Sequence, residues 1–295
     1  MKNNLSIIVP VYNEEKAVEE SVKNLLEIKN SNPEYDLEII IVNDGSTDNT
    51  ADILIDLSSN STLFKLVSYE DNRGYGAAIK EGVKSASHEL VAITDADDTY
   101  PNHRLVEFLN ISVQSNLDML VGSRVGKNVH IPLLRRFPKK CLNLLASYLS
   151  GRDIPDLNSG MRIMRKDLVE KFSYILPNGF SLTSTITLAM LVNGYNVKYE
   201  KIDYFPRKGS SKIRPIQDTL NFLILIIRTI LLFRPLKIFV PLSLILLIPG
   251  LVLFLVRIIL GEGFAISSII LLLSSIQIMA LGMLADLLNR KFPDK

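Results

Sequence analysis

Three carboxylates, Asp95, Asp97 and Asp98, stand within the stretch AITDADDTYP directly after an apolar run. Like charges that close repel one another, so either solvent absorbs the cost or a cation does. At a strand end, where the chain turns, Asp95 and Asp97 at i and i+2 can offer oxygens to one ion from neighbouring positions. Hard carboxylate oxygens favour Mg2+ or Mn2+ over zinc. His88, His103 and His130 are scattered along the chain, so no His or Cys cluster competes for that role. Magnesium keeps few protein ligands and takes the rest from water and phosphates, and two carboxylates at a sheet edge therefore suggest a metal–diphosphate site. Acidic turns are common on surfaces, so the pattern needs the support of its surroundings.

Those surroundings begin at the N-terminus. Short β-branched runs alternate with helical patterns: LSIIVPV, a helix from about Glu14, LEIIIVND, a helix from about Asp48, LFKLVSYED, a helix from about Gly76, and LVAITDAD. Strands spaced in this way imply right-handed crossovers and a mostly parallel sheet, an α/β fold whose functional groups gather at the carboxyl ends of the strands. Each strand here ends in polar or acidic residues, Asn13 and Glu14, Asn43 and Asp44, Asp71 and Asn72, then Asp95 to Asp98, so one rim of the sheet is a plausible single site. Gly45 lets the backbone turn, and Ser46 or Asp48 can cap the following helix. NRGYGAAIKEG holds a G-x-G at a helix start but follows the third strand with the wrong spacing for a dinucleotide loop. Beyond it come the strand MLVGSRV, a basic stretch LLRRFPKK leading into a helix, DLNSGMRIMRKD, a helix from about Leu182 and the strand NVKYEKIDYF.

Composition changes after Arg214. Residues 236–260 and 265–288 are two apolar runs, each with the ~20 residues that cross a bilayer, joined by a short polar link. Arg234 and Lys237 flank the first, Arg290 and Lys291 follow the second, and the positive-inside rule then puts both chain ends in the cytoplasm. Arg257 lies near the far end of its span and can snorkel. Residues 215–235, with Gln217, Asn221 and Arg228 on one helical face, suit an amphipathic helix in the membrane interface; the alternative is a third span with Arg228 near its middle. The expected organisation is a catalytic domain over 1–214, the interfacial helix over 215–235 and a transmembrane hairpin over 236–295. The hairpin also offers a surface for homo-oligomerisation. The N-terminal apolar run is too short for a secretory signal. Lys+Arg 33 against Asp+Glu 31, a formal +2, argues against a dedicated nucleic-acid binder, and the lone Cys141 excludes an intramolecular disulfide.

In order and approximate spacing, SIIVPVYNEE, VNDGSTDNT, NRGYGAAIKEG, TDADDTYP, VGSR, DLNSGMRIMR and PRKGSSKIRP resemble the motif set of family 2 glycosyltransferases with the GT-A fold. Within that group the set is similar to polyprenyl-phosphate sugar synthases of the dolichyl-phosphate mannose synthase type and their bacterial relatives. The resemblance implies a membrane-bound, inverting enzyme on the cytoplasmic side. It would move a sugar from a nucleotide sugar, of the GDP-mannose or UDP-glucose class, to a dolichyl or undecaprenyl phosphate. By position, Pro10, Tyr12, Glu14 and Asp44 would line the nucleotide pocket, with Arg73 beside them. Asp95 and Asp97 would hold Mg2+ or Mn2+ on the donor diphosphate. Arg124, Arg135 or Arg136, Arg207 and Lys212 would meet the phosphates of donor and acceptor. Asp156 is the family's candidate general base; because a phosphate monoester has its second pKa near ~6, the same carboxylate could instead position the acceptor or an arginine. Two departures stand out. Asn43 replaces a frequent Asp, and Thr99 stands where mannose synthases often carry Gln, which puts a third metal ligand and GDP-mannose in doubt. A processive polysaccharide synthase would need a Q-x-x-R-W motif, and the chain has no Trp. A tethered glycosyltransferase with a non-lipid acceptor is the alternative.

Overall fold

Alternation along the first strand sets the layers. In β1 (Asn4–Val11) Leu5, Ile7 and Val9 are buried in one apolar cluster, while Ile8 is buried in another on the opposite face. The computed structural model describes residues 4–59, 63–125, 143–205, 215–261, 263 and 265–291, with the side chains of 215–222, 290 and 291 outside that description.

Six further strands complete the sheet: β2 (Asp36–Asp44), β3 (Lys65–Tyr69), β4 (Leu90–Ile93), β5 (Met119–Ser123), β6 (Arg162–Arg165) and β7 (Val197–Lys201), in the order β3-β2-β1-β4-β6-β5-β7. The pairings are parallel except those of β6, which runs antiparallel to β4 and β5. The expected mostly parallel α/β sheet is therefore present. The sequence pattern assigned no element to the stretch that forms β6. Helices α1 (Val18–Ser31) and α4 (Leu105–Gln114) bury Val18, Val22, Leu25, Leu105, Phe108 and Leu109 on one face. On the other, α3 (Tyr75–Ser85), α6 (Lys166–Lys171) and α7 (Leu182–Val192) bury Ala78, Ile79, Val83, Leu168, Val169 and Ile186. Helix α2 (Thr50–Ser59) adds Leu54 to the first cluster. α1 starts four residues later than the pattern implied, because Glu14 O accepts from Ala17 N and Val18 N in a turn that precedes it.

A third cluster lies toward the chain's end. Helix α5 (143–150), α7 and α8 (Pro215–Phe233) pack Ala146, Leu149, Leu188, Leu191, Val192, Ile226 and Ile230 together, with Ile154 and Leu157 beside them. Helices α9 (Leu236–Ile259) and α10 (Ile266–Lys291) then form an antiparallel pair. Gly250 faces Leu271 and Gly282 faces Phe239, small residues that let two apolar helices approach closely. Leu236–Ile259 and Ile266–Asn289 are long and apolar enough to cross a membrane. The base of the pair is tied to the helices before it: Arg234 Nη2 donates to Val192 O of α7 at 2.7 Å, and Asn289 Nδ2 to Leu231 O of α8 at 3.1 Å.

Candidate active site

Asp44 ends β2 with only 2 % of its surface exposed. Its two oxygens accept from the backbone amides of Arg73 and Gly74, each at 2.8 Å, so it draws the β3–α3 connection over the end of the sheet. Gly45 makes this possible: its φ is +65°, and a Cβ there would run into the backbone of Asp71 and Asn72. The β1–α1 turn is stitched to the β2–α2 turn by Asn13 N to Ser46 Oγ at 3.0 Å, Thr47 N to Asn13 Oδ1 at 2.8 Å and Glu14 N to Thr50 Oγ1 at 2.9 Å. Asp48 caps α2 by accepting from Thr50 N at 3.0 Å. Asn43, which replaces the frequent Asp, is buried and bonded on both sides. Its amide donates to Ser68 Oγ at 2.9 Å while its carbonyl accepts from Ser46 N at 3.2 Å, so the neutral side chain bridges β3 and the β2–α2 turn. Arg73 turns its guanidinium over the Tyr69 ring, 4.1 Å from the centroid.

Asp95 and Asp97 follow β4 in an irregular turn and are held differently. Tyr75 donates its hydroxyl to Asp95 Oδ1 at 3.0 Å. Asp97, 6 % exposed, accepts at Oδ1 from both the amide (3.2 Å) and the hydroxyl (2.6 Å) of Thr99. Thr99 thus orients the carboxylate two residues before it. Burial pushes the Tyr75 hydroxyl above the ordinary tyrosine range, with Asp95 adding to the effect, and burial likewise raises Tyr100; both stay protonated at neutral pH. Tyr100 accepts from Gly160 N at 2.7 Å. Asp98 has a φ of +53° in the same turn.

Gly160 joins this turn to the next centre, since a Cβ there would lie 3.1 Å from Asp95 Oδ2. Four residues earlier Asp156 is fully buried, and Arg124, just past β5, grips it from Nε at 2.7 Å and Nη2 at 3.0 Å, with the Arg124 amide adding a third bond at 3.1 Å. Burial opposes the charge on Arg124, but Asp156 and the neighbouring tyrosines outweigh it and hold the guanidinium well above its ordinary value. Arg124 also lies over the Tyr204 ring, 5.2 Å from its centroid. Behind them Arg162, fully buried at the start of β6, donates to Ser159 O, to Thr183 O at 2.8 Å and to Thr187 Oγ1 at 2.9 Å. Burial lowers its pKa.

The structure thus gathers Asp44, Arg73, Asp95, Asp97, Arg124 and Asp156 along the carboxyl rim of the sheet. Pro10, Tyr12 and Glu14 follow from the end of β1 beside the Asn13–Thr47 stitching. Arg135, Arg136, Arg207 and Lys212, and also Cys141, lie outside the described residues. Sequence reasoning missed Tyr75, Tyr100, Tyr204 and Arg162, and it treated Thr99 only as a departure. The one local signal was the i, i+2 spacing of Asp97 and Thr99. Among the described residues no group of three or more His, Cys, Asp or Glu side chains could hold a metal by itself. Two carboxylates steadied by hydroxyls fit an ion that completes its shell with phosphate oxygens and water.

Known proteins resemble this chain along much of its length. Residues 6–173 match the family model described as glycosyl transferase family 2, and residues 234–290 match that of the GtrB C-terminal hairpin. A dolichyl-phosphate hexose transferase of Haloferax volcanii is 29% identical over 214 residues, covering 72% of this chain and 88% of the relative. A dolichol-phosphate mannosyltransferase of Pyrococcus furiosus is 28% identical over 221 residues; the match covers 71% of this chain but only 59% of that longer protein. Among solved structures, glucosyl-3-phosphoglycerate synthase from Mycobacterium tuberculosis, in complex with Mn2+, UDP and phosphoglyceric acid, superposes with a TM-score of 0.58 at 16% identity. That match covers 77% of this chain and 78% of the other, and it speaks to the GT-A fold alone.

Proposed function

The chain belongs to glycosyl transferase family 2, and on that premise we propose that it is a membrane-bound, inverting transferase. It carries a sugar from a nucleotide sugar of the GDP-mannose or UDP-glucose class to a polyprenyl phosphate. One observation carries the choice of acceptor. Ile154 and Leu157, on either side of Asp156, share an apolar cluster with Ile226 and Ile230 of α8, and Ile238 at the start of the apolar hairpin packs at its edge. The loop bearing Asp156 is thereby built on the elements that would meet the bilayer, where a lipid phosphate would arrive. The hairpin would span with both chain ends in the cytoplasm, in line with Arg234 and Lys237 at its base.

The reaction is a single displacement. A lipid phosphate oxygen attacks the anomeric carbon, the bond from that carbon to the donor diphosphate breaks, and the configuration inverts as the nucleoside diphosphate leaves with the electron pair. Pro10, Tyr12, Glu14, Asp44 and Arg73 would line the nucleotide side. Asp95 and Asp97 would hold Mg2+ or Mn2+, which supplies positive charge to the diphosphate. Arg124 would carry a fixed positive charge to the phosphates between donor and acceptor. The acceptor phosphate is largely dianionic at neutral pH, with its second pKa at about 6, so no proton has to be removed from the attacking oxygen. The bidentate grip of Asp156 on Arg124 supports a positioning role for that carboxylate. Arg135, Arg136, Arg207 and Lys212 would take the acceptor phosphate.

Membranes containing the protein, given a panel of labelled nucleotide sugars with and without Mg2+, test the reading. The expected product is a labelled lipid that partitions into organic solvent only when metal is present. Transfer that leaves all label in the aqueous phase or on protein would instead support a tethered glycosyltransferase with a non-lipid acceptor.

A further inference from the structure

Asp97 is steadied by its own neighbour, Thr99, but Asp95 is steadied from far away in sequence. Tyr75, the first residue of α3, reaches it with a hydroxyl at 3.0 Å. The other side of the Tyr75 ring is backed by Phe180, stacked at 5.3 Å between centroids and 22° between planes. The start of α3 is itself pinned by the α6–α7 connection. Asn178 O accepts from both Gly76 N (2.7 Å) and Ala77 N (3.1 Å), while Lys80 Nζ donates to Leu176 O at 3.1 Å and to Asn178 Oδ1 at 2.5 Å. Gly76 has to be glycine for this, because a Cβ would strike Pro177 O. The G-x-G is thus a seat for the 176–180 segment, and its helix-start amides are already engaged by a carbonyl. Helix α7, which follows that segment, packs against α8.

We propose that Tyr75 is a positioning residue for the metal site. Its hydroxyl fixes the rotamer of Asp95, and the 176–180 segment, through Phe180 and Asn178, fixes Tyr75. Outer partners of ligating carboxylates commonly set metal affinity, because they hold the oxygen where the ion needs it before the ion arrives. On this account the affinity for the donor-bound cation depends on a segment about eighty residues away in sequence from the Asp-x-Asp turn. The inference rests on the proposed reading of Asp95 and Asp97 as metal ligands.

The test is Mn2+ binding to the purified full-length protein in detergent, followed by electron paramagnetic resonance in the presence of UDP or GDP and with no acceptor. Tyr75→Phe keeps the ring and its stack and deletes only the hydroxyl; it should weaken Mn2+ binding by about tenfold. In turnover assays it should raise the metal concentration for half-maximal rate by more than it lowers the rate at saturating metal. Phe180→Ala, at an exposed position, should weaken binding in the same direction by about threefold. Tyr174→Phe, exposed on the same connection, should leave binding at the wild-type value. A Tyr75→Phe protein that binds Mn2+ within about twofold of wild type overturns the inference, and if that variant does not fold, unchanged binding in Phe180→Ala overturns it equally. Wild-type protein that takes up no Mn2+ with either nucleotide overturns the metal–donor reading itself, a result distinguishable from a defect confined to the variants.

Discussion

The Asp95–Asp97 turn and the Asp156–Arg124 pair hold carboxylates on the same rim of the sheet with different described partners, hydroxyls and an amide at the first and a guanidinium at the second. Among the described contacts, Asp95 accepts from the Tyr75 hydroxyl and Asp97 from the amide and hydroxyl of Thr99. Asp156 is oriented by a full positive charge in a bidentate grip, within a buried setting. Hydroxyls orient a carboxylate without cancelling its charge, whereas a guanidinium does both. The second centre has its cation built in, and the proposed reading gives the first centre a bound one. This difference should show as separate responses to mutation. At the first centre, loss of charge should cost activity before stability, and at the second both should suffer.

The largest effect should come from the first centre. Asp97→Asn or Asp95→Asn should lower turnover by on the order of 10³-fold, measured as nucleoside diphosphate release. Asp98→Asn should stay within a few-fold of wild type, and thermal unfolding of all three should stay near wild type. Next comes the buried pair. Asp156→Asn should cost up to about 3 kcal/mol in denaturant unfolding, because it leaves a part-buried guanidinium without its counter-charge, and it should lower the rate without changing the pH profile; a wild-type pH limb that disappears in the variant would restore the base role. Gly45→Ala should cost about 1–3 kcal/mol and raise the donor KM, since φ of +65° and the Asp71–Asn72 backbone both reject a side chain.

The smallest effect concerns a carboxylate outside both centres. Burial opposes ionisation of Glu38, but the Ser6 hydroxyl and the amide and hydroxyl of Ser87 outweigh it and hold the pKa below the ordinary 4.5. A depressed folded value means that Glu38 contributes stability above about pH 4.5 and loses it as pH falls through the folded value. Glu38→Gln should accordingly be less stable than wild type near neutrality, with the two unfolding curves converging in acid.

Much of the rim was legible because it is local. The strands β1, β2 and β4 each carry a continuous apolar stretch, IIVPV, IIIV and LVAI, and the residues that follow fall at the carboxyl edge by topology alone. Strand β6 was hidden because its first residue, Arg162, puts a charge at a fully buried position, breaking the apolar pattern that marks a strand. The partners of the carboxylates were hidden by sequence distance. Tyr75 stands twenty residues before Asp95, and Arg124 stands thirty-two before Asp156, so neither pairing follows a helical or strand period. Thr99, read as a departure from the expected Gln, gains its meaning only once its hydroxyl is seen on Asp97. The same is true of Asn43, whose amide nitrogen is used by Ser68.

The central claim is that the acceptor is a lipid phosphate, and phosphorus nuclear magnetic resonance tests it most directly. The protein in liposomes is given a nucleotide sugar, Mg2+ and either polyprenyl phosphate or unphosphorylated polyprenol, and the spectrum is followed as nucleoside diphosphate appears. The account predicts release only with polyprenyl phosphate, matched one for one by a phosphodiester resonance as the monoester signal declines. Release at the same rate with polyprenol, or release with no phosphodiester formed, would contradict it.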